Sequence, residues 1–326
     1  MNTPEQASFA GVSVERAILR TIVYFDIFEY PLTLVEIWKW LNADNTDKDA
    51  DKMEFSLSDV QERLDNFQSK IETKNGFYFL AGRQDLIDKR LSRYNLAEEK
   101  FKRALKFIKI LRLIPFVKMI AVCNSLAYSN AAQTGDIDLF IIADKHRLWL
   151  TRFLAVGFLK LLGVRPRPES KQDTIDANFF LSAEDLNIRH SQINDQDIYL
   201  IYWIDQLVPV FDLGSYYQKF QAANNWIKQA LPNALGYDTA DRRRVDNNFF
   251  SRMVRFNLKI VLGYNFFEKL AKRFQLKILP EDLRIIMNQN TKVMINETML
   301  KFHREDRREE YLKKFNEKLS LYEVSK

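Results

Sequence analysis

The sequence predicts a predominantly helical α+β protein, and three observations support this class. Apolar residues recur at helical spacing over most of the chain. This helical pattern is interrupted by apolar, strand-like segments near residues 120, 140 and 178. Only 9 Gly and 8 Pro leave little room for long loops, while 25 Phe and 13 Tyr supply bulky core side chains. The length of 326 residues, with 47% hydrophobic and 28% charged residues, is typical of a globular protein of two or three domains.

The first three predicted helices lie between residues 14 and 67. Apolar spacing predicts a helix over 14–28 that closes at Pro31, and Thr33 with Glu36 forms a capping box for a second helix over about 34–42. The cap signal repeats at Ser58 and Gln61. It predicts a third helix, whose apolar face holds Val60, Leu64 and Phe67.

A hairpin follows the third helix. Strand-like residues around Ile71 and over 77–80 flank Asn75-Gly76, the strongest short-range signal for a type I′ turn. Three helices and a hairpin resemble a winged helix-turn-helix domain, assigned to residues 1–86. The third helix carries Asp59, Glu62 and Asp65, which favours packing or protein contact over contact with DNA.

The rest of the chain divides into three predicted regions. A basic helical connector occupies 87–114, and strands over 116–122 and 175–181 with a helix over 146–162 place a small mixed-sheet domain at 115–190. Residues 191–326 are predicted to be a helical C-terminal region, because apolar spacing there is nearly all helical.

Cysteine content and apolar runs bear on the compartment. One cysteine, Cys123, allows neither a disulfide framework nor a Cys-based zinc site within the chain and fits a reducing cytoplasm. The first 17 residues lack the basic start and apolar centre of a secretory signal. The most apolar run, 148–164, contains Arg152 and Lys160, so we predict a core helix there. A cytoplasmic protein with no membrane partner is expected.

Positive charge is concentrated in two segments. The net charge is +6, and residues 87–118 contain ten Lys or Arg against three acids. A second cluster lies between residues 242 and 255. Segments 89–118 and 242–255 are therefore candidate nucleic-acid contacts, and solvated helix faces are the alternative interpretation.

The most informative stretch is Asp136-Ile137-Asp138-Leu139-Phe140-Ile141-Ile142. Alternate residues of a strand point to the same side, so the carboxylates of Asp136 and Asp138 lie together at the entrance of an apolar strand. Ionised carboxylates are costly there unless a cation joins them, and Mg²⁺ commonly binds one or two carboxylates together with substrate phosphates. The pair therefore predicts a divalent-metal site.

A second signal precedes the acids. The strand over 116–122 ends near Asn124-Ser125, where a short helix begins whose first amides can face an anion. A strand, a small-residue turn, a short helix and an Asp-x-Asp strand resemble the DNA polymerase β-like nucleotidyltransferase superfamily over about 116–185. Asn124 stands where that family has Gly; Asn tolerates the left-handed backbone that such a turn needs.

The resemblance implies a function and a set of roles. Asp136 and Asp138 would hold Mg²⁺ (or Mn²⁺) and, with a third carboxylate, catalyse nucleotidyl transfer from an NTP. Asp176 is the candidate for the third carboxylate, with Asp173 as the fallback. The nucleotide-binding candidates are Asn124, Ser125 and Gly135. The acceptor is left open between nucleic acid, protein and a small molecule.

The alternative function is a catalytically degenerate nucleotide-binding regulator that contacts DNA or a protein through the winged helix.

Other side chains are weaker candidates for functional roles. His146, His190 and His303 are spaced for no transition-metal site and are predicted to be surface or capping residues. Arg165 and Arg167 either flank the site or belong to a loop.

Overall fold

The computed structural model describes residues 4–43, 55–65, 67, 70–166 and 171–324, with side chains described from Val14 to Glu323. Within this part of the chain, twelve α-helices and nine strands form a mixed α/β architecture with two sheets, and about half of the chain is helical. The predicted α+β, helix-rich class is confirmed at this level.

The N-terminal elements form a small unit with a three-stranded antiparallel sheet in the order β1-β3-β2. They are α1 (Pro4–Ile27), β1 (Leu32–Thr33), α2 (Leu34–Lys39), α3 (Leu57–Asp65), β2 (Ile71–Lys74) and β3 (Phe77–Leu80). The capping box of α2 is confirmed, because the Thr33 hydroxyl accepts from the amide of Glu36 while the Glu36 carboxylate accepts from the amide of Thr33 at 2.8 Å. Asn75 and Gly76 adopt φ of 55° and 78°, as a type I′ turn requires.

The remaining elements surround a six-stranded sheet in the order β7-β4-β5-β6-β9-β8. In chain order they are α4 (Leu86–Leu111), β4 (Val117–Val122), α5 (Asn124–Ala127), β5 (Ile137–Ala143), α6 (Leu148–Leu161), β6 (Ile175–Ser182), α7 (Ile198–Gln206), β7 (Val208–Asp212), α8 (Tyr216–Ala223), α9 (Phe249–Leu262), α10 (Asn265–Lys277), α11 (Glu281–Ile286), β8 (Val293–Ile295), β9 (Met299–Phe302) and α12 (Arg308–Val324). β5 and β6 run parallel, whereas β4 pairs antiparallel with β5 and β7, and β9 with β6 and β8.

The expectation that 191–326 is helical is wrong in one respect. Three strands of the six-stranded sheet, β7, β8 and β9, come from this region. Each is only three to five residues long, too short for an apolar period to reveal it. Pro209 further disguises β7, and a proline is tolerated there because β7 lies at the edge of the sheet.

Both faces of the six-stranded sheet are buried. On one face Met119 and Phe140 join a core formed with α1, α7 and α8. On the other face Ile120 and Ile141 join a core formed with α4 and α6. Because successive side chains of a strand point to opposite faces, β4 and β5 are nearly continuous apolar sequence.

The N-terminal unit shares the first of these cores. The rings of Tyr24 and Tyr202 stack with centroids 4.3 Å apart. The indole Nε1 of Trp40 donates to the buried Asp205 carboxylate at 3.0 Å. Aromatic packing therefore joins α1 to α7, and a satisfied buried polar group joins the end of α2 to α7.

None of the described helices is both long and apolar enough to cross a bilayer. α6, which contains most of the run that the sequence singled out, buries Trp149 and Leu159 against the core. Its opposite side is exposed at Phe158 and Leu161.

Arg255 anchors α9 to the body. The Arg255 guanidinium donates to the carbonyl oxygens of Arg112, Ile114, Pro115 and Val117 at 2.5–2.9 Å. Arg255 is buried, and these carbonyls lie in the segment that runs from the C-cap of α4 to the first residue of β4.

We predict that Arg255→Met lowers the free energy of unfolding by about 2–4 kcal/mol, because it leaves buried carbonyls without a donor. Arg252→Met, on the exposed side of the same helix, is the matched control and is expected to change it by less than about 0.5 kcal/mol. Chemical denaturation followed by circular dichroism measures both. Equal effects of the two substitutions would contradict the anchoring role of Arg255.

Candidate active site

Three aspartates meet at one end of the parallel strand pair. Asp136 directly precedes β5, Asp138 is the second residue of β5, and Asp176 is the second residue of β6. The strand register places Asp138 beside Asp176. Carboxylate oxygens of all three lie within 4.8 Å of one another, and the three side chains are partly buried. The structure therefore brings the two predicted metal ligands and the predicted third carboxylate together.

The pKa values of the three carboxyl groups are raised by burial and, for Asp138 and Asp176, by the charge of neighbouring carboxylates. Burial raises the pKa of Asp138 well above its ordinary value, and the charges of Asp136 and Asp176 raise it further. Burial also raises the pKa of Asp136, which Lys171 and Lys100 oppose, and the pKa of Asp176, which Arg165 opposes. The cluster therefore lacks enough nearby positive charge for three ionised carboxylates.

Asp173, the fallback for the third carboxylate, has a different partner. Its carboxylate accepts from the Lys100 ammonium at 2.6 Å, and the same ammonium donates to the Gly135 carbonyl at 2.6 Å. Lys100 is buried on α4. This contact fixes the loop that leads into Asp136 and leaves Asp173 outside the cluster.

The turn after β4 places Asn124 in the left-handed backbone conformation discussed above. Asn124 has φ of 57°, in the left-handed region that Asn tolerates better than most residues. Its Oδ1 accepts from the indole of Trp203 at 3.0 Å and from the hydroxyl of Tyr199 at 3.3 Å. A side-chain hydrogen bond from Asn124 to Asp138 also lowers the pKa of that carboxyl.

The two other nucleotide-binding candidates are placed differently. Ser125 is exposed, and its carbonyl accepts from the amide of Asn130. Gly135 uses its carbonyl for Lys100. Asn124 lines the cleft described next, whereas Ser125 and Gly135 do not.

The three aspartates line a cleft of about 1090 Å³. Its lining combines cationic side chains, some of them close enough to Asp136 and Asp176 to lower the pKa of these carboxyls, with aromatic and aliphatic ones. The cationic side chains that line it include Arg152, Lys160, Arg165 and Lys171. The apolar ones include Phe153, Phe179, Trp203, Phe274 and Ile278. Carboxylates for a metal, cations for an anion and flat apolar surface thus share one cavity of ligand-binding size.

Arg152 is held in the cleft lining by two side chains. Its guanidinium donates to Gln275 at 2.6 Å and lies 4.0 Å from the centre of the Phe302 ring. Burial lowers the pKa of Arg152 to about 10, so the group stays cationic at neutral pH. Its Nε is buried without a hydrogen-bond partner within the described residues.

Sequence reasoning missed the residues that orient Asp176. Asn178 Nδ2 donates to the Asp176 carboxylate at 2.9 Å, and Asn178 Oδ1 lies 3.0 Å from His303 Nε2. The prediction that His303 is a surface or capping residue is wrong, because its ring lines the cleft and burial lowers its pKa to about 3. Asn178 was detectable two residues beyond Asp176 on the same strand face, whereas His303 reaches the site only through the pairing of β9 with β6.

The other candidates fall outside the carboxylate cluster. His146 and His190 are exposed, as expected, and Cys123 is buried with a pKa raised by that burial. Arg165 lines the cleft, so it flanks the site. Arg167 lies outside the described residues.

Many cations of the two basic segments bind groups of this chain. The salt bridges join Lys89 and Arg93 to Glu29, Arg90 to Glu36, Lys100 to Asp173, Lys118 to Asp144, and Arg242 and Arg243 to Glu98. Arg255 binds backbone carbonyls. Neutralised cations attract a polyanion weakly, so segments 89–118 and 242–255 offer less positive charge than their composition suggests.

Comparison of the chain with protein-family models, curated proteins and solved structures finds no match.

We predict that Mg²⁺ or Mn²⁺ raises the stability of the protein, by about 2.7 kcal/mol at 100 times the dissociation constant. Asp138→Asn is expected to abolish this increase, because it removes a central oxygen ligand. Asp173→Asn is the matched control: it breaks the Lys100 contact, so it lowers stability, but keeps the response to the metal. Thermal unfolding with and without the metal measures both, and an unchanged wild-type melting temperature would contradict the site.

The raised pKa values also predict a pH dependence of metal-free stability. The folded state holds the Asp138 proton to higher pH than the unfolded chain, so stability is lost as the pH rises from about 4 through the folded pKa. Asp138→Asn removes this loss and is expected to stabilise the metal-free protein at pH 7 by about 1–3 kcal/mol. Denaturant titrations at pH 4 and pH 7 measure the difference, which should be small at the lower pH.

Proposed function

We propose that this protein is a metal-dependent nucleotidyltransferase that moves a nucleoside monophosphate from an NTP to a hydroxyl-bearing acceptor. The observation that carries the proposal is the convergence of Asp136, Asp138 and Asp176 in the lining of a cleft that also contains cations. A structural role for three adjacent aspartates is disfavoured, since their mutual repulsion costs stability in the absence of a cation.

The donor set fits a hard divalent cation. Carboxylate oxygens are the ligands that Mg²⁺ prefers, and three of them on two adjacent strands leave positions for substrate phosphate oxygens. Asp136 and Asp138 would hold the ion, with Asp176 beside them. When bound, Mg²⁺ or Mn²⁺ would neutralise phosphate charge and act as a Lewis acid at the transferred phosphorus.

The cationic side chains of the cleft fit the triphosphate. Arg152, Arg165 and Lys171 line the same cleft as the carboxylates, and such cations pair with phosphate oxygens. The apolar side of the cleft offers aromatic faces against which a base can stack. Asn124 would border the phosphates through the left-handed turn after β4.

The proposed reaction is an in-line displacement at phosphorus. The acceptor oxygen forms a bond to the α-phosphorus, and the bond from that phosphorus to the oxygen bridging the β-phosphate breaks. Pyrophosphate leaves with that electron pair, and Asp176 takes the proton of the acceptor hydroxyl. Burial raises the pKa of Asp176, which makes its carboxylate a stronger base toward the proton of the acceptor hydroxyl.

The N-terminal unit fits a winged-helix arrangement, since three helices precede the β2–β3 hairpin. The exposed side of α3 carries Asp59, Glu62 and Asp65, which repel a polyanion. We therefore propose a protein contact for this unit in preference to DNA.

We predict that the wild-type protein transfers label from an α-phosphate-labelled NTP with release of pyrophosphate. Asp136→Asn and Asp138→Asn are expected to reduce transfer by roughly 10³-fold or more, because each removes charge from the metal ligands. Assays use each of the four NTPs with Mg²⁺ or Mn²⁺ and with RNA, protein or small hydroxyl compounds as acceptors. Asp144→Asn, at the opposite end of β5, is the matched control and should keep full activity.

The outcomes separate the candidate functions. Transfer retained by Asp138→Asn would rule out the proposed chemistry. Metal-dependent NTP binding without any transfer would favour the catalytically degenerate regulator.

We predict that Asn178→Ala lowers kcat by about 10–100-fold while the dissociation constant of the metal–NTP complex changes little. Asn178 holds the Asp176 carboxylate and is itself held by His303, and such orienting partners contribute this much to activity. Asn257→Ala, on the exposed side of α9, is the control. Steady-state kinetics and equilibrium NTP binding are measured side by side; a loss of binding equal to the loss of kcat would contradict a positioning role.

A further inference from the structure

α9 and α10 expose an unusual amount of apolar surface. The exposed fractions are 74% for Phe249, 66% for Phe256, 58% for Ile260, 67% for Tyr264 and 66% for Phe266. Single exposed apolar residues are ordinary, but a contiguous set of this size marks a surface that contacts another molecule. We call residues 249–278 the apolar face.

The apolar side chains of α9 point away from the body. Ser251 and Arg255 are buried on its inner side, where Arg255 binds the carbonyls before β4. Positions 249, 253, 256 and 260 follow helical spacing on the opposite side and are all exposed. Phe250 and Val261 are also exposed and lie about 100° around the helix from that stripe, so the apolar surface extends well beyond one seam.

The charges on the apolar face are almost all positive. Arg252, Lys259, Lys269, Arg273 and Lys277 are exposed. The one acid from 249 to 278 is Glu268, whose carboxylate accepts from the amides of Trp149 and Leu150 at 2.8 and 3.0 Å. The face is therefore apolar and cationic without an exposed acid.

The combination of apolar and cationic side chains distinguishes among the molecules that this face could bind. A second copy pairing through the same face would bring cations against cations. A single protein helix would cover one stripe of α9 and leave Phe250, Val261 and Tyr264 in water. An anionic bilayer accepts apolar side chains from several sides of a helix, while Lys and Arg extend along them to the headgroups.

We infer that the apolar face binds the surface of an anionic lipid bilayer, with α9 lying in the headgroup region. A helix that lies on a membrane differs from one that crosses it, so this contact is compatible with the absence of a spanning helix among the described residues. The expectation of no membrane partner rested on the lack of a spanning segment, and a surface contact departs from that expectation. The inference does not depend on the proposed enzymatic function.

The test is flotation of the full chain with vesicles of equal parts phosphatidylglycerol and phosphatidylcholine, and with vesicles of phosphatidylcholine alone. The wild type should bind the anionic vesicles, and binding should weaken as salt is added. Phe256→Ser/Ile260→Ser and, separately, Arg252→Glu/Lys259→Glu should each weaken binding by at least about tenfold. Leu235→Ser, an exposed apolar residue outside the face, is the matched control and should bind as the wild type does.

Because these positions are exposed, the variants should keep the wild-type melting temperature within about 2 °C. The charge variant tests the same contact independently should the serine variant unfold. A folded wild type that floats with neither kind of vesicle overturns the inference. So does binding that all variants retain, or a dimer in light scattering that the serine variant dissolves while vesicle binding is absent.

Discussion

The pairing of β5 with β6 is the constraint on which the site depends. The parallel register sets Asp138 directly beside Asp176, and the alternation of side chains along the chain brings Asp136 to the same side. Both strands are buried on the two faces of the sheet, so neither can shift by one residue without moving apolar side chains out of the two cores. The carboxylates are thus held together by the packing of the sheet, against their own repulsion.

Contacts from distant parts of the chain complete this arrangement. Lys100 of α4 binds both the Gly135 carbonyl and Asp173, which sets the positions of the segments entering β5 and β6. His303, directly after β9, supports Asn178, which in turn orients Asp176. Elements on either side of the parallel pair, α4 and β9, therefore help to position the same three carboxylates.

Local signals in the sequence were sufficient for much of this structure. The Thr33 capping box, the Asn75-Gly76 turn and the strands that carry Asp138 and Asp176 each depend on a few neighbouring residues, and each is found where expected. The strands β7, β8 and β9 could not be predicted in this way, because three to five residues show no period and their partners are remote in the chain. The same reason explains why His303 was mistaken for a surface residue.

The cleft and the apolar face meet at α6 and α10. Phe153, Phe274 and Ile278 line the cleft and are also exposed to solvent, so the apolar wall of the cavity continues onto the outer surface. A bilayer in contact with that surface would lie beside this part of the cleft. The carboxylates lie on β5 and β6, and the outermost apolar stripe lies on α9. Because different elements carry the carboxylates and this stripe, a substitution in one leaves the packing of the other intact, and the effects on transfer and on vesicle binding can be measured separately.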